Sequence, residues 1–154
     1  MEQAAADIGG DPEELISGYF RDIGILAEST AMARNAPDRR FPPLPPEYDG
    51  RLSDWLVDQL VIARPTASER AWPVILELIR RAPSTDALGH IGADPLEDLV
   101  NGHGREFESR ILDRAASDPR FAVALAGVWA RDGVPDSLGQ AIDALRKGSD
   151  QQPA

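Results

Sequence analysis

The sequence has no cysteine, which excludes disulfides, thiolate metal sites and thiol nucleophiles. Basic residues are also in short supply, because 16 Lys and Arg stand against 26 Asp and Glu, giving a net charge of −10. Such a surface repels nucleic-acid phosphates and anionic lipid headgroups, since both are bound largely through Lys and Arg. We therefore expect neither a nucleic-acid partner nor a membrane partner. A basic protein would be attracted instead.

Long apolar runs and signature motifs are absent as well. The most apolar run, residues 121–130, is much shorter than the roughly 18 residues that indicate a membrane span. The N-terminus has neither the basic start nor the apolar centre of a signal peptide, so we expect a cytoplasmic protein. Glycine-rich nucleotide-binding motifs, His-Glu-x-x-His and Gly-x-Ser-x-Gly do not occur. The sequence thus predicts no metal, no cofactor and no catalytic site.

The patterning that is present is helical. Apolar residues recur at i, i+3, i+4 and i+7 along most of the chain, whereas the alternation typical of strands is nearly absent. Asp-Pro dipeptides precede three of these stretches, at residues 11–12, 94–95 and 118–119, and place a capping residue before a favoured first helical residue. The sequence predicts an all-α fold, an irregular bundle of seven or eight helices. Antiparallel pairs would stack as in helical-repeat proteins, although no sustained repeat is present.

The chain divides into four predicted segments of a single globular domain. Residues 1–35 contain an N-terminal amphipathic helix, and residues 36–50 are proline-rich and cannot be helical, because proline removes an amide donor and restricts the preceding residue. Residues 51–147 form the main helical domain, and residues 148–154 are predicted to be a disordered tail. We interpret the proline-rich segment as an extended connector. Its Arg-x-x-Pro-x-x-Pro pattern is also one that SH3-type domains accept.

A first candidate contact surface lies at the start of the main helical domain. Asp54 and Asp58 are four residues apart, so they share one face of a predicted helix, where like charges cost some stability. A solvated acidic face is the common explanation, and a binding surface or a cation site is the alternative. Trp55 is predicted to be partly exposed, whereas Trp72 and Trp129 fall in the apolar stripes of core helices. An exposed tryptophan between two carboxylates would anchor a basic partner.

A second candidate is the acidic pair Glu97 and Asp98. Neighbouring helical residues point in different directions, so the two do not form a catalytic carboxylate pair unaided. Glu97 follows Asp94 at the capping-box spacing, which predicts a capping role. His103 precedes Gly104 at the predicted end of this helix, where an imidazole can bond the last carbonyls. The alternative is a pocket between helices with Glu97 and His103 on its wall, serving a small ligand or an enzymatic reaction.

Several short strings between residues 71 and 129 carry a family resemblance: Ala71-Trp72-Pro73, Ala87-Leu88, Pro95-Leu96-Glu97-Asp98-Leu99, His103-Gly104 and Asp118-Pro119-Arg120-Phe121. In these strings the chain resembles a bacterial helical family that is a domain of unknown function. The resemblance covers a little over a third of the chain and leaves residues 1–50 outside. It implies an all-helical domain and no particular activity. It also adds weight to a role beyond capping for Glu97, Asp98 and His103.

Taken together, these patterns favour a non-enzymatic protein that binds another protein. In its most specific form the hypothesis is an immunity or antitoxin-like protein that neutralises a basic partner. Asp54, Trp55 and Asp58 would form the first contact surface, and Glu97 and Asp98 the second. One alternative is the pocket at Glu97 and His103. The other is an oligomerisation module, in which the apolar helix of residues 121–129 is buried between the subunits of a homo-oligomer.

Overall fold

The computed structural model describes residues 1–62 and 67–151, and their regular secondary structure is helical, without a strand. The predicted all-α class is confirmed for this part of the chain. The α-helices are, in chain order, α1 (Glu2–Ile8), α2 (Pro12–Asn35), α3 (Arg51–Val57), α4 (Ser68–Arg81), α5 (Thr85–Ile91), α6 (Glu97–Ser117), α7 (Pro119–Ala126) and α8 (Asp136–Asp150). Two π-helical segments, Asp58–Ile62 and Gly92–Leu96, directly follow α3 and α5. Within the described ranges, no helix is long and apolar enough to cross a bilayer.

The chain forms two compact units, a first unit of Met1–Trp55 and a second unit that begins at Leu56. The boundary therefore falls inside α3, later than the predicted start of the main domain at residue 51. Residues 36–50 contain no helix, and α8 runs to Asp150, so the segment predicted as a tail begins inside a helix. Residues 152–154 of that predicted tail lie outside the described residues.

In the first unit, α2 begins as its sequence predicts. The Asp11 carboxylate accepts hydrogen bonds from the backbone N–H groups of Glu13 and Glu14, at 2.9 and 3.2 Å. Pro12 occupies the first helical position, where its missing N–H costs nothing. The apolar stripe that follows, with Leu15 among its buried members, faces the interior of this unit, where α1 packs against α2.

Asp22 of α2 holds the far end of the proline-rich segment. It is buried, and its two carboxylate oxygens accept the backbone N–H groups of Asp49 and Gly50, at 2.9 and 2.8 Å. Arg51 pairs with both Asp49 and Glu14, and the Arg51 guanidinium holds the pKa of the Asp49 carboxyl below its usual value. Gly50 has a φ of 70°, a conformation that favours glycine. These contacts fix the point at which the chain enters α3.

In the second unit, α7 is the central helix, as its apolar sequence predicts, and it packs against α4, α5, α6 and α8. Asp118 caps α7 by accepting the N–H groups of Arg120 and Phe121, at 3.0 and 3.3 Å. The Arg120 guanidinium donates to the carbonyls of Ile79 and Ala82, which belong to the C-terminal end of α4 and would otherwise lack helical partners. Phe121 itself is fully buried. One short sequence string therefore starts α7 and attaches it to α4.

Candidate functional site

The structure reverses the predicted environments of two tryptophans, beginning with Trp55. Its side chain is only 7% exposed, and its indole Nε1 donates to Asp7 Oδ2 at 3.1 Å. The prediction of a partly exposed Trp55 was wrong because Asp7 lies on α1, a separate helix that the sequence pattern did not reveal. A tryptophan is readily buried once its N–H finds an acceptor. Asp54 and Asp58 are exposed, as expected for a solvated acidic face, but they belong to different units.

Trp129 is the tryptophan that faces solvent. It is 71% exposed, although its position in an apolar run predicted a place in the core. The reason is that α7 ends at Ala126, so Trp129 lies in the loop before α8 rather than on a helical stripe. Val128, its neighbour, is fully buried and keeps the loop against the interior. An exposed indole directly next to a fully buried valine is the first distinctive feature of this surface.

The backbone around Trp129 is held by α6. Glu97 Oε2 accepts the N–H of Trp129 at 2.9 Å, and the Asn101 side-chain amide donates to the Trp129 carbonyl at 3.1 Å. The same amide accepts the N–H of Arg131 at 2.8 Å through its oxygen. Glu97 and Asn101 lie one helical turn apart, so a single face of α6 binds three main-chain groups of the loop.

The other side of the loop is held by Arg146 of α8. Its guanidinium donates to the carbonyl oxygens of Val128 and Ala126, at 2.6 and 3.3 Å. It also lies 5.5 Å from the centroid of the Trp129 ring, within the range of a cation–π interaction. The ring and its main chain are therefore both restrained. Trp129 is exposed on a main chain that is held from both sides, with a guanidinium beside its ring.

A groove runs beside this ring between the loop and α8. We call it the Trp129 groove, and its volume is about 440 Å³. Its exposed charged side chains include three carboxylates, and its cations are two arginines. Arg146 already binds the loop carbonyls and also forms an ion pair with Asp143, at 3.8 Å. The side chains that define the groove are those of Trp129, Arg131, Asp132, Asp136, Asp143 and Arg146. The groove thus combines one large apolar ring with an acidic rim.

Glu97 does not cap a helix, contrary to the capping-box interpretation. Asp94 lies within the π-helical segment that continues α5, and the backbone remains right-handed helical at Leu96 and Glu97. The N–H groups that a capping residue would bind are free only where a helix begins after non-helical backbone, as at Asp11. The carboxylate of Glu97 binds the Trp129 loop instead. This contact is consistent with the role beyond capping that the family resemblance suggested.

The acidic residues at the start of α6 affect one another. Burial, together with the neighbouring carboxylate of Glu97, raises the pKa of Asp94 above its ordinary 3.8, although His90 acts in the opposite direction. Burial likewise raises the pKa of Asp98, and the charges of Asp94 and Glu97 add to the effect, while Arg131 opposes it. Among the described residues, no group of three or more His, Asp or Glu is arranged to hold a metal ion.

The raised pKa of Asp94 predicts how the stability of the folded protein changes with pH. The folded protein retains a proton that the unfolded chain releases, so stability falls as pH rises from 3.8 through the raised pKa of Asp94. We expect Asp94→Asn to raise the melting temperature at pH 7 and to leave it unchanged well below pH 3.8. Thermal unfolding followed by circular dichroism at both pH values measures this. The exposed-acid variant Asp113→Asn is the control, and equal effects of both variants at pH 7 would contradict the prediction.

His103 does not end its helix. The backbone departs from helical geometry there, with φ −135° and ψ 15°, but α6 continues after this kink to Ser117. Its Nε2 lies 2.9 Å from the carbonyl oxygen of Leu60, which can only accept, so Nε2 carries the proton in this contact. A cavity of about 180 Å³ is lined by His103 but not by Glu97, whose carboxylate faces the Trp129 loop. The structure thus separates the two residues that the pocket hypothesis placed together.

Sequence reasoning missed the residues that position Trp129, namely Asn101 and Arg146. Both bind backbone groups of a loop, and such contacts leave no periodic pattern. Two signals were nevertheless present: Gly127 interrupts the apolar run of residues 121–130, and Gly133 marks a turn before Pro135. Together they indicate that the helix ends before Trp129. Read in this way, the sequence would have placed the tryptophan in a loop.

Residues 45–149 match a family of unknown function, DUF6869. Because the match covers well over half of the chain, the protein belongs to this family, which confirms the family resemblance seen over residues 71–129. The matched region contains the whole Trp129 groove together with Glu97 and Asn101, whereas residues 1–44 lie outside it. Searches of curated proteins and of solved structures gave no match.

Proposed function

We propose that this member of DUF6869 acts by binding another protein, with Trp129 as the central anchor. The observation that carries the proposal is an indole that is 71% exposed although its ring and its backbone are both restrained. Leaving so much apolar surface in water is unfavourable, and a partner that covers it recovers that free energy. Because the main chain of the loop is already held by α6 and α8, the loop loses little conformational entropy on binding. Tryptophan is also among the commonest energetic centres of protein interfaces.

The partner that best fits is a protein with a basic surface around an apolar recess. The net charge of −10 attracts such a surface from a distance, and the carboxylates of Asp132 and Asp136 would receive its cations beside the ring. Neutralisation of a basic protein, as by an immunity protein or an antitoxin, is the specific form of this proposal. Asp54 and Asp58 remain predicted additional contacts. We further propose that binding takes place in the cytoplasm, where proteins without disulfides are the rule.

The decisive variant is Trp129→Ala. Affinity capture from the native lysate, read by mass spectrometry, first identifies the partner, and titration of the purified pair then measures its affinity. We expect the variant to weaken binding about 30-fold, the loss of roughly 2 kcal/mol typical of an interface anchor. Its melting temperature should remain near that of the wild type, because the ring is mostly exposed.

The matched control is Val123→Ala, which shortens a partly exposed apolar side chain of α7 in the same unit. It should bind like the wild type. Equal affinities for Trp129→Ala and the wild type would remove Trp129 from the interface. If size-exclusion chromatography instead shows a wild-type dimer that the Trp129 variant dissociates, the ring binds a second copy of the chain, and the proposal of a foreign partner fails. Raising the salt concentration should weaken a complex with a basic partner.

A further inference from the structure

We propose that residues 39–46 are a recognition segment for a second partner, a domain of the SH3 type that binds polyproline II helices in an aromatic-lined groove. The segment belongs to the first unit and shares no residue with the Trp129 groove. It also lies largely outside the region matched by the family, which begins at residue 45. The inference is therefore independent of the function proposed for Trp129.

The conformation of the segment is largely set by its prolines. Residues 41–46 read Phe-Pro-Pro-Leu-Pro-Pro, so every residue in this stretch either is a proline or directly precedes one. Prolines fix φ, and the residue before a proline is driven into the extended or polyproline II region. The structure has neither helix nor strand from residue 39 to residue 45, in agreement with these constraints. A polyproline II helix needs no internal hydrogen bonds and is therefore already close to its bound form.

Both ends of the segment are held by the first unit. At its start, the N–H of Arg39 donates to the Ala36 carbonyl at 3.1 Å. Arg39 itself has a left-handed φ of 52°, so the extended conformation begins after this residue. At its end, the N–H of Tyr48 donates to the Pro45 carbonyl at 3.0 Å, and Asp22 binds the chain immediately beyond. A segment anchored at both ends loses less entropy on binding than a free linker would.

The exposure of the side chains repeats every three residues, the period of a polyproline II helix. Pro42 and Pro45 share one face and are half-buried. The other two faces are open: Phe41 and Leu44 are 67% and 47% exposed, and Arg40 and Pro43 are exposed on the third face. A groove can cover two of the three faces of such a helix, so the open pair is available to a partner. A plain connector would not require two large apolar side chains in water.

The charge at the start of the segment supports the same partner. Arg39 and Arg40 are adjacent and exposed in a protein whose net charge is −10. The side chain of Arg40 is 85% exposed, and its only ion pair among the described residues is with Asp38, at 3.2 Å. Such a solvent-exposed pair exchanges easily for a carboxylate of a partner. A domain with an acidic site beside an aromatic groove therefore complements this segment in both charge and shape.

The test is calorimetric titration of the full chain with a panel of purified SH3 domains. We expect saturable binding by at least one of them. The double variant Phe41→Ser/Leu44→Ser should bind that domain at least about tenfold more weakly, because truncating interface anchors typically has an effect of this size. The variant should keep the melting temperature of the wild type, since both side chains are exposed.

The matched control is Met32→Ser, which alters another exposed apolar side chain of the first unit, on α2, and should bind like the wild type. The open faces also predict that Arg40→Glu weakens binding more than Arg39→Glu does. Absence of binding across the panel would overturn the proposal, as would wild-type affinity of the double variant. A greater loss of affinity from Arg39→Glu than from Arg40→Glu would contradict the proposal that the open face carrying Arg40 contacts the partner.

Discussion

Replacing Gly92 with alanine is expected to destabilise the second unit by about 3 kcal/mol, at the upper end of the usual cost of overpacking. An added Cβ would lie 2.0 Å from the carbonyl oxygen of Ala124 and 3.0 Å from its carbonyl carbon. Both are backbone atoms of α7, which is the central helix of the unit, so no side-chain movement can relieve the clash. We expect the melting temperature to fall by about 10 °C. Urea unfolding and scanning calorimetry measure the change.

Gly89→Ala is the matched control for this substitution. Gly89 lies three residues earlier in α5, and a Cβ added there meets no atom within 4 Å. The variant should be neutral or up to about 1 kcal/mol more stable, because alanine loses less entropy than glycine when a helix forms. If Gly92→Ala unfolds like the wild type, the close approach of α7 to the π-helical segment is not present in solution.

Removing the carboxylate of Asp22 is expected to destabilise the first unit by about 2–4 kcal/mol, because Asp22→Ala leaves one buried and one partly buried N–H group without an acceptor. These are the amides of Asp49 and Gly50, which Asp22 now binds at 2.9 and 2.8 Å. Amide hydrogen exchange tests the prediction locally. Both amides should exchange much faster in the variant, since opening of residues 49–50 no longer breaks these bonds.

Two further variants make this test specific. Asp22→Asn keeps the shape and one acceptor oxygen, so we expect a smaller loss of stability than with alanine. Glu28→Ala alters an exposed acid on the same helix and should change the free energy of unfolding by less than about 0.5 kcal/mol. Unchanged exchange at Asp49 and Gly50 in Asp22→Ala would show that the carboxylate does not hold the end of the proline-rich segment.

The three Asp-Pro dipeptides show how far local sequence rules extend. Asp11 and Asp118 cap their helices as predicted, because the preceding backbone is not helical and leaves free N–H groups within reach of the carboxylate. Asp94 has the same sequence context but lies in a π-helical segment continuous with α5 and α6. The chain there remains helical. Leu96 and its neighbours are buried in the core of the second unit. Tertiary packing overrode a local signal that was otherwise reliable.

The candidate sites show the same limit of local sequence rules. The family strings directed attention to Glu97, which does contact the proposed site, although the predicted reason for its importance was wrong. Trp129 itself was assigned to the core, because an apolar run predicts which residues are apolar but not where the helix stops. The cavity at His103 does not include Glu97, and the reason is related. The kink at His103 turns its imidazole toward Leu60, and nothing in the residue spacing indicates that contact.

By itself, the sequence determined the helical class, the caps at Asp11 and Asp118, and the extended proline-rich segment, because each depends on steric and hydrogen-bonding effects within a few residues. Gly127 and Gly133 indicate a loop at Trp129, but only the tertiary structure decided that Trp55 is buried and that the Trp129 ring faces solvent. Those outcomes depend on Asp7 reaching Trp55 across 48 residues and on Glu97 reaching the Trp129 backbone across 32. Such contacts form between groups far apart in the chain, so no local pattern encodes them.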